Sequence, residues 1–442
     1  MVGLEPGSPL GGRLEEDRLH DASLSGGFRV LRPSSSGVCD LGRGSFTGVL
    51  RDGDRGSSRF LFYTNECVGL GHLRRTVSLA QAVCELDPAA TSLIITGAPV
   101  APEQRLPSRV DTVKLPQLGR DGDGVHRPHR LGIELARVRS LRGRLALAAA
   151  EEFQPDVAVV DKTPRGLGDE LVPALEMLHR TSCRIVLGLR DIEDGPLGVR
   201  RRWDTAVREA VARYYDTVLV YGPPWSRDAL AVLGWDDLPV PVRHVGYVGR
   251  PVASEPVDDL PGEYLLVTAG GGADGYRLLA LAIEALAVRE LGLPVLLVTG
   301  PLMPEADVER LRARAKGLDA RVEEFRGDMD AVIAGARAVV SMAGYNTVSE
   351  LLRARRPALL VPRERPSEEQ LVRAQLVADA GLASVLAPDE LDAETLRHAL
   401  DDLLAAPQPE VDESHHHGAS RAAAVLTELA LHPRTVEPLA AA

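Results

Sequence analysis

From Arg59 onward the chain repeats one unit: a short apolar run, a polar turn, and then a stretch whose apolar residues recur at helical spacing. A run that is apolar on both faces must be buried on both faces, and in water that means a parallel sheet clothed by helices on either side. The first series begins at Phe60–Tyr63 with a helix over Leu73–Leu86. It continues through strands at Ser92–Thr96, Thr112–Leu115, Asp156–Val160, Arg184–Leu189, Thr217–Tyr221 and Val242–Val245, with helices near 131–152, 169–180, 200–213 and 226–233. A second series starts at Tyr264–Thr268 and places strands near 294–299, 320–324, 337–341, 357–361 and 383–386, each trailed by a helical pattern. The fold class is therefore α/β, with two Rossmann-like doubly wound domains.

The boundaries follow from shifts in composition. Residues 1–57 are rich in Gly, Ser, Arg and Asp, lack sustained periodicity and read as a disordered extension. The first domain covers 58–249, and residues 250–262 carry the proline, glycine and acid content of an interdomain linker. The second domain covers 263–408. Residues 409–442 form a tail holding His415-His416-His417 and an amphipathic helix from about Ala419 to Leu431. Consecutive histidines do not share a face, so they read as a solvated hinge and not as a metal site.

Composition narrows the partners. The 63 acidic residues exceed the 51 basic ones, and no basic block interleaved with aromatics appears, which argues against a nucleic-acid binder. Cys39, Cys67, Cys84 and Cys183 show no Cys-x-x-Cys or Cys/His spacing, so neither a disulfide framework nor a zinc site is expected, and a reducing cytoplasm is the simpler home. No apolar run is long enough for a signal peptide or a membrane span, which leaves peripheral contact with the inner membrane face as the one membrane role. The Asp-Gly-Asp triplets at 52–54 and 121–123 lie in polar loops without strand context, so no metal or cofactor is expected from them.

Chemistry is expected at the carboxyl ends of the strands, where open α/β sheets bind ligands. The loop after the first strand reads Gly69-Leu70-Gly71-His72-Leu73-Arg74-Arg75; its glycines allow close approach of backbone to a ligand, and His72 at a helix start suits general-base work. Asp161 and Asp191 end two further strands and can act as bases, although Arg190-Asp191 fits a structural ion pair equally well. Gly270-Gly271-Gly272 lies between a strand and a helix, where amides can cradle a diphosphate; it is neither a P-loop nor the strict dinucleotide spacing. The segment Ser341–Glu350 turns on Gly344 into a helix that Asn346 or Thr347 can cap, with Glu350 one turn inside, placed to accept two hydrogen bonds from a ribose diol.

These residues resemble a GT-B glycosyltransferase, most closely the branch containing the bacterial enzyme that adds N-acetylglucosamine to lipid-linked muropeptide. The resemblance spans about residues 59–405. Glu324–Met329 is similar to that family's uracil loop, Gly344–Glu350 to its ribose turn, Val361–Gln370 to its donor-sugar segment, and Gly69–His72 to its N-terminal glycine loop. It implies two domains facing a cleft, base contacts near Arg326 and Met329, ribose on Glu350, sugar hydroxyls on Glu369 and Gln370, and a glycine loop completed by Arg75. It also implies a UDP-sugar donor, a small-molecule, glycan or lipid-linked acceptor, and catalysis without a metal. Two positions depart: Gly271 stands where the family usually carries serine, and Met342 where it carries arginine. The string Val68–Arg75 also resembles the UDP-sugar hydrolase of pseudaminic acid synthesis, in which the histidine is implicated in activating water. Hydrolysis of the donor is thus the alternative reaction, and a non-catalytic nucleotide-sugar-binding protein is a second alternative.

Overall fold

Strands β1 (Arg59–Thr64), β2 (Thr91–Thr96), β3 (Val110–Lys114), β6 (Val157–Asp161), β7 (Arg184–Arg190), β8 (Thr217–Tyr221) and β9 (Val242–His244) form one parallel sheet in the order β3-β2-β1-β6-β7-β8-β9. A second parallel sheet takes β10 (Leu265–Thr268), β11 (Val295–Val298), β12 (Ala320–Glu323), β13 (Ala338–Ser341), β14 (Ala358–Leu360) and β15 (Ser384–Val385) in the order β12-β11-β10-β13-β14-β15. The computed structural model describes residues 57–65, 71–98, 106–120, 126–193, 203–226, 238–249, 257, 259–260, 262–365 and 367–435, all within one compact unit, Asp52–Ala442. The extension over 1–56, Gly69, the Asp-Gly-Asp triplets, the expected helix over 226–233 and most of the 250–262 linker lie outside the described residues.

Both sheets are doubly wound, and both reverse direction beside their first strand, between β1 and β6 and between β10 and β13. A crossover to one side followed by a crossover to the other opens a crevice at that point, and ligands of such folds sit there. Burial explains the strands: β6, β8, β10, β11 and β13 are buried at every position, with successive side chains entering the cores on opposite faces of the sheet. Leu265 and Val267 join one core of the second domain, and Leu266 joins a core shared with Phe60, Phe62 and Leu79 of the first.

The helices are α1 (Gly71–Leu86), α2 (Leu135–Phe153), α3 (Val172–His179), α4 (Thr205–Tyr214), α5 (Tyr276–Val288), α6 (Glu305–Ala315), α7 (Met329–Gly335), α8 (Tyr345–Ala354), α9 (Glu369–Asp379), α10 (Ala393–Ala405) and α11 (Gly418–Leu431). The amphipathic helix expected near the end, α11, packs against α1 of the first domain, and Arg434 beyond it bonds the Asp216 carboxylate. The chain thus crosses between domains a second time. At that crossing the Tyr247 amide donates to the His415 carbonyl (2.8 Å) and the Gly418 amide to the Tyr247 carbonyl (3.2 Å). The histidine run, expected to be solvated, is so only at His417, which is exposed. His415 is half-buried with its ring edge-on to Trp225, and His416 is half-buried as well. A short antiparallel pair, β4 (Leu118–Arg120) with β5 (His126–Pro128), has no counterpart among the expected strands. Among the described residues no helix is long and apolar enough to cross a membrane, and no cluster of three metal-ligating side chains occurs.

Candidate active site

The apolar strands end in polar residues at one edge of each sheet: Thr64, Asp161 and Arg190 in the first, Thr268 and Ser341 in the second. Because β1 and β6 are neighbours in register, with Thr64 opposite Asp161, the start of α1 and the end of β6 meet although 89 residues separate His72 from Asp161. His72 Nδ1 lies 2.5 Å from Asp161 Oδ2, and Arg75 donates through Nη2 to Oδ1 (2.8 Å) and Oδ2 (2.9 Å) of the same carboxylate.

Two electronegative atoms 2.5 Å apart share a proton, and the site decides where it resides. Burial alone would raise the Asp161 pKa, but the Arg75 guanidinium and then His72 hold its carboxyl well below the usual carboxylate range. The proton therefore sits on Nδ1, and Nε2 is the basic nitrogen, an assignment drawn from the hydrogen-bond network. Arg75 Nη2 also lies 2.8 Å from Nδ1. A protonated Nδ1 cannot accept from it, so this is a close cation beside the ring, and its hydrogens go to Asp161. Burial pushes the His72 pKa down to about 4 against the opposing pull of Asp161. The imidazole is neutral at physiological pH, as a general base must be.

The facing wall belongs to the second domain. Helix α8 starts at Tyr345 with Gly344 as its N-cap, and no side chain caps it. The expected capping by Asn346 or Thr347 is corrected: both fall inside the first turn, past the point from which a side chain can cap it. The first amides of α8 thus keep no intrahelical partner, and the positive end of the helix dipole points into the crevice. Gly71, at the start of α1, approaches this turn so closely that a Cβ there would lie 3.2 Å from Asn346 Nδ2. Two helix N-termini, one from each domain, converge.

Beside them runs the loop after β10. Gly270 (φ 63°) and Gly272 (φ 92°) have left-handed backbone, and a Cβ on Gly272 would meet the Thr299 carbonyl at 2.3 Å, so only glycine fits there. A Cβ on Gly271 would instead make an ordinary 3.7 Å contact with Leu302. The backbone admits the serine that related loops carry, and this chain does without its hydroxyl. Met342 is buried in the second core and brings no charge to the crevice.

A cleft of about 550 Å³, counting its open mouth, lies between α1 and α8 and is lined by Arg74, Arg75, Arg326, Met329, Asn346 and Glu350 among others. Arg75, Arg326, Met329, Asn346 and Glu350, all singled out from sequence, therefore share one cavity. Ser349 also lines it, fully buried with an unpartnered hydroxyl. The Arg326 side chain is tied to Asp259 (2.8 and 2.9 Å) and Asp328 (2.9 and 2.8 Å).

Arg190 and Asp191 do not pair with each other. Adjacent residues at a strand end diverge, and each reaches across to α9: Arg190 to Glu369 (2.5 Å), and Asp191, through both oxygens, to Arg373 (2.9 Å each). Tyr247 donates its hydroxyl to Asp191 (3.1 Å), and Arg373 donates to the Ala343 carbonyl (3.0 Å). Asp191 is fully buried with both oxygens engaged, an arrangement suited to clamping two domains and not to receiving a substrate proton. Burial alone would raise the Glu369 pKa, but Arg190 brings it down to about 2. Gln370, buried beside it, accepts from the Arg363 amide (3.3 Å). Sequence reasoning missed Arg373, Tyr221 and Tyr345. The one available sign was an arginine a single turn from Glu369, at helical spacing with Gln370, Ala374 and Val377 on the buried face of α9.

Comparison with known proteins agrees with this fold. Residues 265–428 match the glycosyltransferase family 28 C-terminal domain. The chain is 28% identical over 293 residues to the UDP-N-acetylglucosamine--N-acetylmuramyl-(pentapeptide) pyrophosphoryl-undecaprenol N-acetylglucosamine transferase of Salmonella arizonae, covering 62% of this chain and 75% of that one. It is 27% identical over 295 residues to the same transferase of Serratia proteamaculans, with the same coverage. Among solved structures, the glycotransferase of kitacinnamycin superposes with a TM-score of 0.59 at 15% identity, over 85% of this chain and 100% of that one. Acinetobacter baumannii MurG superposes with a TM-score of 0.54 at 14% identity, over 84% and 99%. The chain is a glycosyltransferase of the GT-B fold, moving a sugar from a nucleotide-sugar donor. Within that class it resembles the MurG-like transferases.

Proposed function

We propose that this protein transfers a sugar from a UDP-linked donor bound by the second domain to a hydroxyl of an acceptor held by the first, with His72 as general base. The observation that carries this reading is the His72–Asp161 pair at the start of α1, where Gly71 comes close to Asn346 in the first turn of the uncapped α8. His72 Nε2 takes the acceptor proton, the acceptor oxygen attacks the anomeric carbon, and the bond from that carbon to the diphosphate breaks. The released charge meets the amides of α8 and the 270–272 loop, so the proposed step invokes no metal ion. Such a direct displacement inverts the anomeric configuration.

Glu350 takes the ribose hydroxyls in this proposal, the backbone near Arg326 and Met329 takes the base, and Glu369 and Gln370 take the sugar. A uridine donor is favoured by the activity for which the Salmonella and Serratia relatives are named. The acceptor is a small molecule, a glycan or a lipid-linked saccharide, reached from the cytoplasmic side. The test incubates purified protein and a panel of nucleotide sugars in EDTA, first alone and then with a cell extract. Nucleotide release that requires the extract supports transfer. Free sugar from water alone means hydrolysis, binding without release means a non-catalytic protein, and activity only after magnesium or manganese is restored overturns the metal-free step.

A further inference from the structure

Arg75 occupies an environment that base catalysis alone does not call for. Its guanidinium is buried and lies between two aromatic rings, Tyr221 at 5.2 Å and Tyr345 at 5.2 Å. The two rings come from different domains. Tyr221 ends β8 of the first sheet, and Tyr345 is the first residue of α8, beside the turn proposed above to hold the diphosphate. Tyr345 is itself fixed from several sides: the Val248 amide donates to its hydroxyl (3.0 Å), Tyr247 packs edge-on at 5.4 Å, and Arg373 lies over its ring at 5.8 Å.

We propose that Arg75 is a positioning residue that keeps His72 neutral only while Tyr345 of the donor helix covers it, so that docking of α8 switches the base on. A carboxylate 2.5 Å from an imidazole ordinarily stabilises the imidazolium, which cannot accept a proton. Burial of the ring is the first influence against that pull, and the Arg75 charge, placed on both oxygens of Asp161, adds to it. The charge does so fully only when desolvated, because water weakens the ion pair and screens its field. The tyrosine rings exclude that water, and their faces attract the cation. Loss of the Tyr345 ring hydrates Arg75, leaves the field of Asp161 on His72 uncompensated, and lets the imidazole take up a proton. Among the described residues, the other charged or titratable groups that act on the pair include Lys162 next to Asp161, Arg190 at the end of β7, and the hydroxyl of Tyr221.

The inference rests on the donor reading of α8, and its test separates the two. In the full chain with isotope-labelled histidine, the His72 ring signals, assigned by their loss in His72→Gln, are titrated for wild type, Arg75→Gln, Arg75→Lys, Tyr345→Ala and Tyr345→Phe. Arg75→Gln and Tyr345→Ala should each raise the His72 midpoint by about one pH unit or more. Tyr345→Phe, which keeps the ring, and Arg75→Lys, which keeps the charge, should each shift it less than the corresponding ring or charge deletion. Midpoints in Tyr345→Ala and Arg75→Gln that match wild type overturn the proposal. If Arg75→Gln does not fold, Tyr345→Ala, whose substitution lies in the other domain, decides the matter alone. Added UDP then tests the reading beneath: UDP that leaves the α8 amide signals unmoved removes α8 as the donor helix, whereas the ligand-free midpoints judge Arg75 regardless.

Discussion

Replacing Arg373 by methionine removes the guanidinium that satisfies both oxygens of Asp191 while roughly preserving volume. The pair is sealed, with side-chain exposures of 0% and 1%, so water cannot replace what is lost. Among the described residues, Asp191 then keeps the Ile192 amide (2.7 Å) and the Tyr247 hydroxyl (3.1 Å), and the Ala343 carbonyl loses the Arg373 donor. Breaking a buried pair by deleting one partner costs about 3–5 kcal/mol, mostly as the penalty of a lone buried charge. Because Asp191 and Arg373 belong to different domains, the molecule can avoid the penalty by opening its cleft. At about 1.4 kcal/mol per factor of ten, Arg373→Met should raise the open population roughly 10²- to 4 × 10³-fold. Hydrogen exchange of the amides around Ala343 and Ile192 reads this directly. Asp191→Asn combined with Arg373→Met should recover much of the loss, because neither charge is then left alone. As a control, Arg321→Met, which breaks a pair with Asp259 exposed by 54% and 51%, should cost less than about 1 kcal/mol. Arg373→Met exchange indistinguishable from wild type, or strict additivity of the two single substitutions, would refute the clamp.

Three further outcomes follow from the same geometry. Glu350→Ala should weaken UDP binding by roughly tenfold or more in calorimetry, since a carboxylate accepting ribose hydroxyls contributes about 1.5–3 kcal/mol per bond; unchanged affinity would remove it from the ribose site. Gly272→Ala should lower thermal stability and UDP affinity together, because a Cβ would sit 2.3 Å from the Thr299 carbonyl in a left-handed backbone, while Gly271→Ala should be tolerated; equal behaviour of the two would discredit the loop geometry. The acid limb of kcat/KM should fall near pH 4 and not near the ordinary 6.5 of histidine. The same group sets a sign for stability: its folded pKa lies below the unfolded one, so the unfolded chain takes up the proton first, and stability is lost as pH falls from about 6.5 toward 4.

The strands were legible because a doubly buried strand has to be apolar throughout, and most of the expected ones lie within a residue or two of those observed. The β4–β5 pair was not, since strands of three residues carry no readable period. His72 and Asp161 were each legible as polar groups at strand ends, yet nothing local says that they touch. That contact is made by the order of strands in the sheet, which puts β6 beside β1. The cap of α8 escaped sequence reasoning because Asn and Thr favour caps in general, whereas here the chain turns into the helix earlier, at Gly344. Arg373 and Tyr345 were invisible as functional residues for a different reason: each gains its role from the opposite domain, and a one-dimensional pattern records only the local face.

The most direct measurement is single-turnover transfer by wild type, His72→Ala and Asp161→Asn, with UDP affinity recorded on the same samples. A base on the first domain serving a donor on the second predicts turnover reduced roughly 10²- to 10⁴-fold in both variants, no further loss when they are combined, and UDP affinity close to wild type. Undiminished turnover in His72→Ala, or a loss of UDP binding that accounts for the whole effect, would contradict it.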